Sequence, residues 1–212
     1  PDGDEFDLDA LVDAAIARRS GHAVEPRVYR RTQTTRDVGS TLLLLDTSAS
    51  TAAVLPAARE AALRGAASIE RAGGECAIHS FCSDGRHAVH YTQVKAFGQT
   101  LGPACIERLM TLRSRLSTRL GAALRHATHL IAQRHGVLRR VLLLTDGRPH
   151  DVDVHDPHYL LEDARQAVRE AARSGVLMQC VSLDAAARKP LQRVFGPGRV
   201  HSLKAMAATL TR

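Results

Sequence analysis

Leu42-Leu43-Leu44-Leu45-Asp46-Thr47-Ser48-Ala49-Ser50 is the stretch on which the reading of this chain turns. Four leucines that end in an acid read as a strand buried on both faces, delivering Asp46 to its carboxyl end. If the backbone stayed extended at about 3.3 Å per residue, Asp46 and Ser50 would stand about 13 Å apart, too far to share one ion. The chain must therefore curl after Asp46, and Thr47 and Ala49 are small enough to permit it. A carboxylate and the hydroxyls of Ser48 and Ser50 then converge, a donor set suited to a hard, oxygen-seeking cation such as Mg2+. The plainer alternative is a strand-to-helix turn in which Ser48 or Ser50 caps the next helix.

A second apolar run, Val141-Leu142-Leu143-Leu144-Thr145, also ends in an acid, Asp146, followed by Gly147. Two such strands would carry both carboxylates to the same sheet edge. The rest of the chain alternates in kind. A strand over 41–46 leads into an alanine-rich helix at 53–72, stopped by Gly73-Gly74. A strand at 75–82, a turn at Asp84-Gly85 and an alternating segment at 86–95 predict a hairpin whose second strand is an antiparallel edge. A helix is expected over 101–113, and another after Ser117-Thr118, with Ser117 as its N-cap, running to about His135. Strand 138–145, a polar loop at 148–156, a helix at 158–174, strand 176–183, a short helix at 186–195, a short strand at 199–202 and a helix at 203–211 complete the order. Strands alternating with helices imply an α/β fold: a Rossmann-like, doubly wound, mainly parallel sheet with helices on both faces. Ligands of such sheets bind beyond the carboxyl ends of the strands, where the topology switches direction.

Residues 2–13 carry six acids, and the spacing of Phe6, Leu8, Leu11, Val12, Ala15 and Ile16 predicts an amphipathic helix over 7–19. Residues 26–32 read as an exposed strand or extended arm. Residues 1–37 are thus expected to lean on a main domain at 38–212. The 212 residues, 44% hydrophobic, suffice for one full core. A chain that begins at Pro1 rather than Met is expected to be a piece of a longer protein. It contains no apolar run of about 18 residues and no visible signal peptide, so no membrane insertion is expected. Cys76, Cys82, Cys105 and Cys180 lack zinc-like spacing and read as reduced core residues of a cytoplasmic protein.

The formal charge of +7 raises nucleic-acid binding. The aromatic content of 3% opposes it, because few platforms remain for base stacking. Arginine dominates the positive charge, and guanidinium recognises carboxylates as readily as phosphates.

Asp46-x-Ser48-x-Ser50, Thr118 before a helix, and Thr145-Asp146-Gly147 together resemble the metal-ion-dependent adhesion site (MIDAS) of von Willebrand factor A (VWA) domains, over roughly residues 38–212. The resemblance implies that Ser48, Ser50 and Thr118 ligate Mg2+, with Mn2+ as its substitute, through their hydroxyls. Asp46 and Asp146 would hold bound waters or coordinate directly, and the sixth position would await a partner's carboxylate. A narrower likeness spans nearly the whole chain. Glu5 to Val12, Arg27-Val28-Tyr29, Phe81 to His87, Ser117 to Ala127 and Asp151 to Val154 resemble the carboxyl-terminal part of NorD and CbbO proteins. Members of that group work with a hexameric AAA+ ATPase of the MoxR type, the A domain engaging Rubisco in CbbO and the nitric oxide reductase system in NorD. The abbreviated Thr51–Pro56 segment leans toward the Rubisco-activating branch.

Arg148 follows Asp146-Gly147 where relatives often carry an acid. Eight arginines (108, 113, 115, 119, 125, 134, 139 and 140) lie between residues 108 and 145 with no Asp or Glu among them. Most are expected on solvated helix faces, with Arg119 and Arg148 flanking the metal and steering an acidic partner toward it. His150, Asp151, Asp153, His155, Asp156 and His158 are expected to form a solvated loop rather than a second metal site. The chain lacks a G-x-S-x-G elbow, a Walker phosphate loop and a G-x-G-x-x-G fingerprint, so any ATP hydrolysis is expected of a partner and the domain reads as non-catalytic. The competing reading is a basic nucleic-acid or phosphoester-binding module, or a metal-dependent phosphoesterase, since Mg2+ with carboxylates also serves phosphoryl chemistry.

Overall fold

The structure, a computed structural model, describes residues 5–6, 29–30 and 39–206. The chain divides into two compact units, Pro1–Arg36 and Asp37–Arg212. In the first, β1 (Glu5–Phe6) pairs antiparallel with β2 (Tyr29–Arg30), so part of the expected arm is a strand. The helix expected over 7–19 lies outside the described residues.

The second unit is built on β3 (Ser40–Asp46), whose seven residues are all buried. The reason is two-sided cover. Leu42 and Leu44 enter a core made with α3 (Leu120–Ala132), α4 (Pro157–Arg173) and α5 (Arg188–Phe195). Leu43 and Leu45 enter the opposite core, made with α1 (Leu55–Arg71) and α2 (Pro103–Thr111). A continuous apolar run is what a strand sandwiched between helix layers requires, and each buried leucine contributes about 1.5–3 kcal/mol.

Six described strands form the sheet in the order β5-β4-β3-β6-β7-β8, where β4 is Glu75–Ser83, β5 Val89–Lys95, β6 Arg139–Thr145, β7 Leu177–Ser182 and β8 Val200–Ser202. All pairings are parallel except β4 with β5, the antiparallel edge foreseen in the sequence. From β3 the chain moves first to β4 on one side, then returns to β6 on the other. The topology therefore switches between β3 and β6, and Asp46 and Asp146 lie at the carboxyl ends of those two strands.

Two local expectations need correction, and a third is covered only in part. The helix after Asp46 begins as a 3-10 turn, Ala49–Ala53, before α1 proper. Ser117 does not cap α3; Arg119 occupies the N-cap position without a side-chain cap, because Ser117 and Thr118 are drawn into bridges with Ser83 and His150. The helix expected over 203–211 is described only as a 3-10 turn at Leu203–Ala205, and residues beyond Met206 lie outside the described range. No helix among the described residues is long and apolar enough to cross a membrane.

Gly147, directly after Asp146, has φ +71°, and a Cβ there would stand 2.7 Å from the Ala187 Cβ and 2.9 Å from a Leu191 methyl. Gly147→Ala therefore combines left-handed backbone strain with overpacking against α5 and is expected to destabilise the fold by about 2–3 kcal/mol. Urea denaturation of the variant checks this; an unchanged midpoint contradicts it.

Candidate metal centre

The turn after β3 curls because Asp46 and Thr47 both capture local groups. The Asp46 Oδ1 accepts the Ser48 N–H at 2.9 Å, and the Thr47 hydroxyl donates to the Phe81 carbonyl at 2.8 Å. Thr51 closes the turn by donating its hydroxyl to the Ser48 carbonyl at 2.8 Å. This brings the Ser48 and Ser50 hydroxyl oxygens within 3.2 Å of each other, as the curl argument required. Thr118 donates to Asp46 Oδ1 at 3.4 Å, and Thr145 donates to Asp46 Oδ2 at 2.7 Å. Asp46 thus gathers donors from three separate segments, two of them hydroxyls. Asp146 is also buried, with its Oδ1 accepting the Arg148 N–H at 3.2 Å. Thr145 did not figure among the sequence-derived ligands. Its signal was present as a lone hydroxyl at the end of an apolar strand, where an aliphatic residue would have served packing better.

Asp46 has no solvent exposure, and burial pushes its pKa up to about 6, against the hydrogen bonds from Thr145 and Ser48, with the nearby Asp146 carboxylate adding to the rise. Asp46, buried at the strand end with the Asp146 charge nearby, is poorly solvated as an anion. A divalent cation between the two carboxylates would remove the conflict. Adjacent ligands of an octahedral Mg2+ at about 2.0–2.1 Å are about 3 Å apart, close to the Ser48–Ser50 and Thr118–Asp46 oxygen separations of 3.2 and 3.4 Å. The donors are all oxygen, which suits Mg2+ or Mn2+ rather than a softer ion. Hydroxyls make up most of the set; among the described residues no group of three or more His, Cys, Asp or Glu side chains could hold a metal.

Around this set lies a shell that the sequence reading underestimated. The loop at 148–156 is not uniformly solvated: Asp151 is buried and accepts from the Ser83 hydroxyl at 3.1 Å, the Gly85 N–H at 2.8 Å and the Arg119 Nε at 2.8 Å. Arg119 also binds Asp153, which in turn receives the Arg86 N–H at 2.8 Å. Since the Thr118 N–H donates to the His150 carbonyl at 2.7 Å, this network fixes the backbone that aims the Thr118 hydroxyl. Asp156 caps α4 by accepting the His158 N–H. Arg119 and Arg148, expected to flank the metal and steer an acidic partner toward it, are both paired, Arg148 to Asp184 at 2.6 Å. Nor are the neighbouring arginines simply solvated: Arg125 bridges Asp163 and Glu170, and Arg134 holds Glu75. The four cysteines are free and buried.

Two outcomes follow from this geometry. Because the folded chain holds the Asp46 proton more tightly than the unfolded one, the metal-free protein has the full contribution of that proton below pH 3.8 and loses it as pH rises to about 6. The loss is on the order of 3 kcal/mol. Asp46→Asn should flatten the decline in EDTA-treated protein, as read from denaturation midpoints across that window; a wild-type profile already flat contradicts the account. Separately, Arg119→Met strands the buried Asp151 and is expected to cost about 3 kcal/mol, partly recovered by adding Asp151→Asn, in the same denaturation assay. A variant as stable as wild type would show that the pair fixes nothing.

The arrangement can be set beside known proteins. NorD of Brucella suis biovar 1 is 36% identical over 203 residues, covering 93% of this chain and 32% of that protein. NorD of Stutzerimonas stutzeri is 33% identical over 203 residues, covering 92% and 33%. The chain thus spans about a third of the length of the curated relatives it matches. Among solved structures, the vWF domain of the type V pili tip protein Mfa5 from Porphyromonas gingivalis superposes with a TM-score of 0.64 at 11% identity, covering 81% of this chain and 92% of that one. The PilB minor pilin from Streptococcus sanguinis gives 0.64 at 11% identity, covering 89% and 64%. These likenesses share the fold. A family profile described as the von Willebrand factor type A domain matches residues 42–210, and with the switch-point carboxylates in place the chain belongs to that family.

Proposed function

We propose that this domain is a Mg2+-dependent, MIDAS-type protein-binding adaptor that couples a MoxR-type AAA+ ATPase to its target. The observation that supports it is the oxygen set at the β3–β6 switch point: the Ser48 and Ser50 hydroxyls lie 3.2 Å apart, the Thr118 hydroxyl lies 3.4 Å from Asp46, and Asp146 is buried at the end of the neighbouring strand, with Ser50 exposed. The cation would supply a Lewis-acid point of attachment for a carboxylate. The chain's own work is to hold the donors. Asp46 draws in the Thr118 and Thr145 hydroxyls, the 3-10 turn presents Ser48 and Ser50, and the Asp151–Arg119 pair keeps the Thr118 backbone in register.

In this reading hydroxyls dominate the set, and its two carboxylates, Asp46 and Asp146, would hold the cation rather than serve as a base, which favours binding over hydrolysis. The buried histidine His79 has its pKa pushed down to about 4, chiefly by burial, and it packs against Tyr91 rather than the carboxylates. The NorD relatives at 33–36% identity support a target in the nitric oxide reductase system over the Rubisco-activating branch that the Thr51–Pro56 segment suggested. In this reading ATP hydrolysis belongs to the partner hexamer, and the location is cytoplasmic.

Mg2+ titration by calorimetry and thermal shift tests the reading. Wild-type protein should gain stability with metal, and an Asp46→Ala, Ser48→Ala variant should not. Metal-independent melting of the wild type, together with target binding that survives EDTA, would remove the cation from the account.

A further inference from the structure

Several arginines around the sheet are already answered by carboxylates: Arg86 and Arg119 by Asp153, Arg125 by Asp163 and Glu170, Arg134 by Glu75, Arg148 by Asp184. Three that border the metal-site turn are not. Arg113 and Arg115 lie on the segment between α2 and α3, both exposed, and Arg59 stands on the adjoining face of α1. Among the described residues none of the three has an acidic partner. Arg59 donates one Nη to the Leu112 carbonyl, while its Nε is buried without a partner. Burial first, and then the like charge of Arg113, lower the Arg59 pKa. Uncompensated like charge beside a binding site is a standing electrostatic demand.

The segment is rigidly attached to the site. Arg115 donates its backbone N–H to the Thr47 carbonyl at 2.8 Å, Ala49 donates to the Leu116 carbonyl at 3.0 Å, and the Ser114 and Thr51 hydroxyls meet at 3.1 Å. Leu116 is held at φ +60°, the one described non-glycine residue with positive φ, and its two neighbours are pinned by those bonds and by the Ser83–Ser117 bridge. Arg115 is thus placed one backbone hydrogen bond from the residue after Asp46. The exposed residues that share this rim, Ala49, Ala52, Ala53 and Leu116, are small or aliphatic and offer no ring on which a base could stack.

We propose that Arg113 and Arg115, backed by Arg59, form a second anchor beside the metal site that selects an acidic protein segment, one whose further carboxylate pairs with these guanidiniums while another reaches the cation. This rests on the reading of the metal site as a protein-binding centre, and it moves the charged rim from Arg119 and Arg148 to the 112–118 segment. Fluorescence anisotropy on the 212-residue chain tests it, with a labelled hexaglutamate peptide and a glycine-serine peptide carrying one glutamate as probes, in Mg2+ and in EDTA. Wild type should prefer hexaglutamate. Arg113→Gln with Arg115→Gln should weaken that probe by about three- to tenfold, the range expected of two exposed pairs, and flatten its salt dependence while Mg2+ binding by calorimetry is kept. Charge reversal with Arg113→Glu should weaken it further. Equal affinity of wild type and the double glutamine variant, no preference for hexaglutamate, or no binding of it at millimolar peptide overturns the anchor. So does a single-stranded 20-mer DNA that binds tighter than hexaglutamate and is lost in the same variant, because the surface would then read phosphate. Hexaglutamate binding that ignores EDTA yet falls in the double variant supports the anchor and overturns the metal reading instead.

Discussion

Burying one carboxylate at the end of a leucine strand is the constraint from which the rest of this domain follows. An unpaired ionised acid in an apolar core is too costly to keep, so Asp46 must be surrounded by donors or by a cation. The structure supplies donors to both of its oxygens, Ser48 N–H and Thr118 Oγ1 on one, Thr145 Oγ1 on the other. Each comes from a different part of the chain, and each is a hydroxyl or amide that can also orient a metal ligand. Stability and site geometry are thus settled by the same few contacts.

That dual use explains why the centre was legible in the sequence and its supports were not. Strand ends and short hydroxyl motifs are local patterns: four leucines, an acid and two serines at alternate positions announce a buried strand and a converging turn. Thr118 entered through the resemblance to the metal-ion-dependent adhesion site, not through its own spacing. The pairing of Asp151 with Arg119 was not legible, since nothing in their spacing says that a loop acid will enter the core 32 residues away from the guanidinium that meets it. Lys95 makes the same point: it is buried, neutralised by Glu70 at 2.9 Å and donating to the Cys76 carbonyl at 2.6 Å, in a segment whose alternation read as an antiparallel edge strand. Ion pairs between distant segments depend on how layers pack, and hydrophobic periodicity carries no information about them.

The distribution of arginine shows the two roles a guanidinium can take. Where the sequence suggested a solvated stretch of positive charge, the fold uses several arginines as clamps between elements, Arg125 between α3 and α4 and Arg134 across to β4. Planar, multi-donor heads suit such bracing. A free charge is therefore informative here only after the clamps have been subtracted, and among the arginines that remain, Arg113 and Arg115 are the ones hydrogen-bonded through their segment to the metal-site turn.

The two-sided cover of β3 has one more consequence. In a half-buried strand, alternation of apolar and polar residues fixes pairing, because a slip of one residue turns the strand inside out. β3 has leucine on both faces, so a slip would exchange leucine for leucine at little loss. Only its polar ends can tell the registers apart: Ser40 with Glu75 at 3.1 Å, Thr41 with Arg140 at 3.2 Å, and Asp46 with Thr145 at 2.7 Å. The acid that would bind the cation also acts as the stop against which the central strand is indexed, so the position of the site along the sheet and the alignment of the sheet itself are one decision.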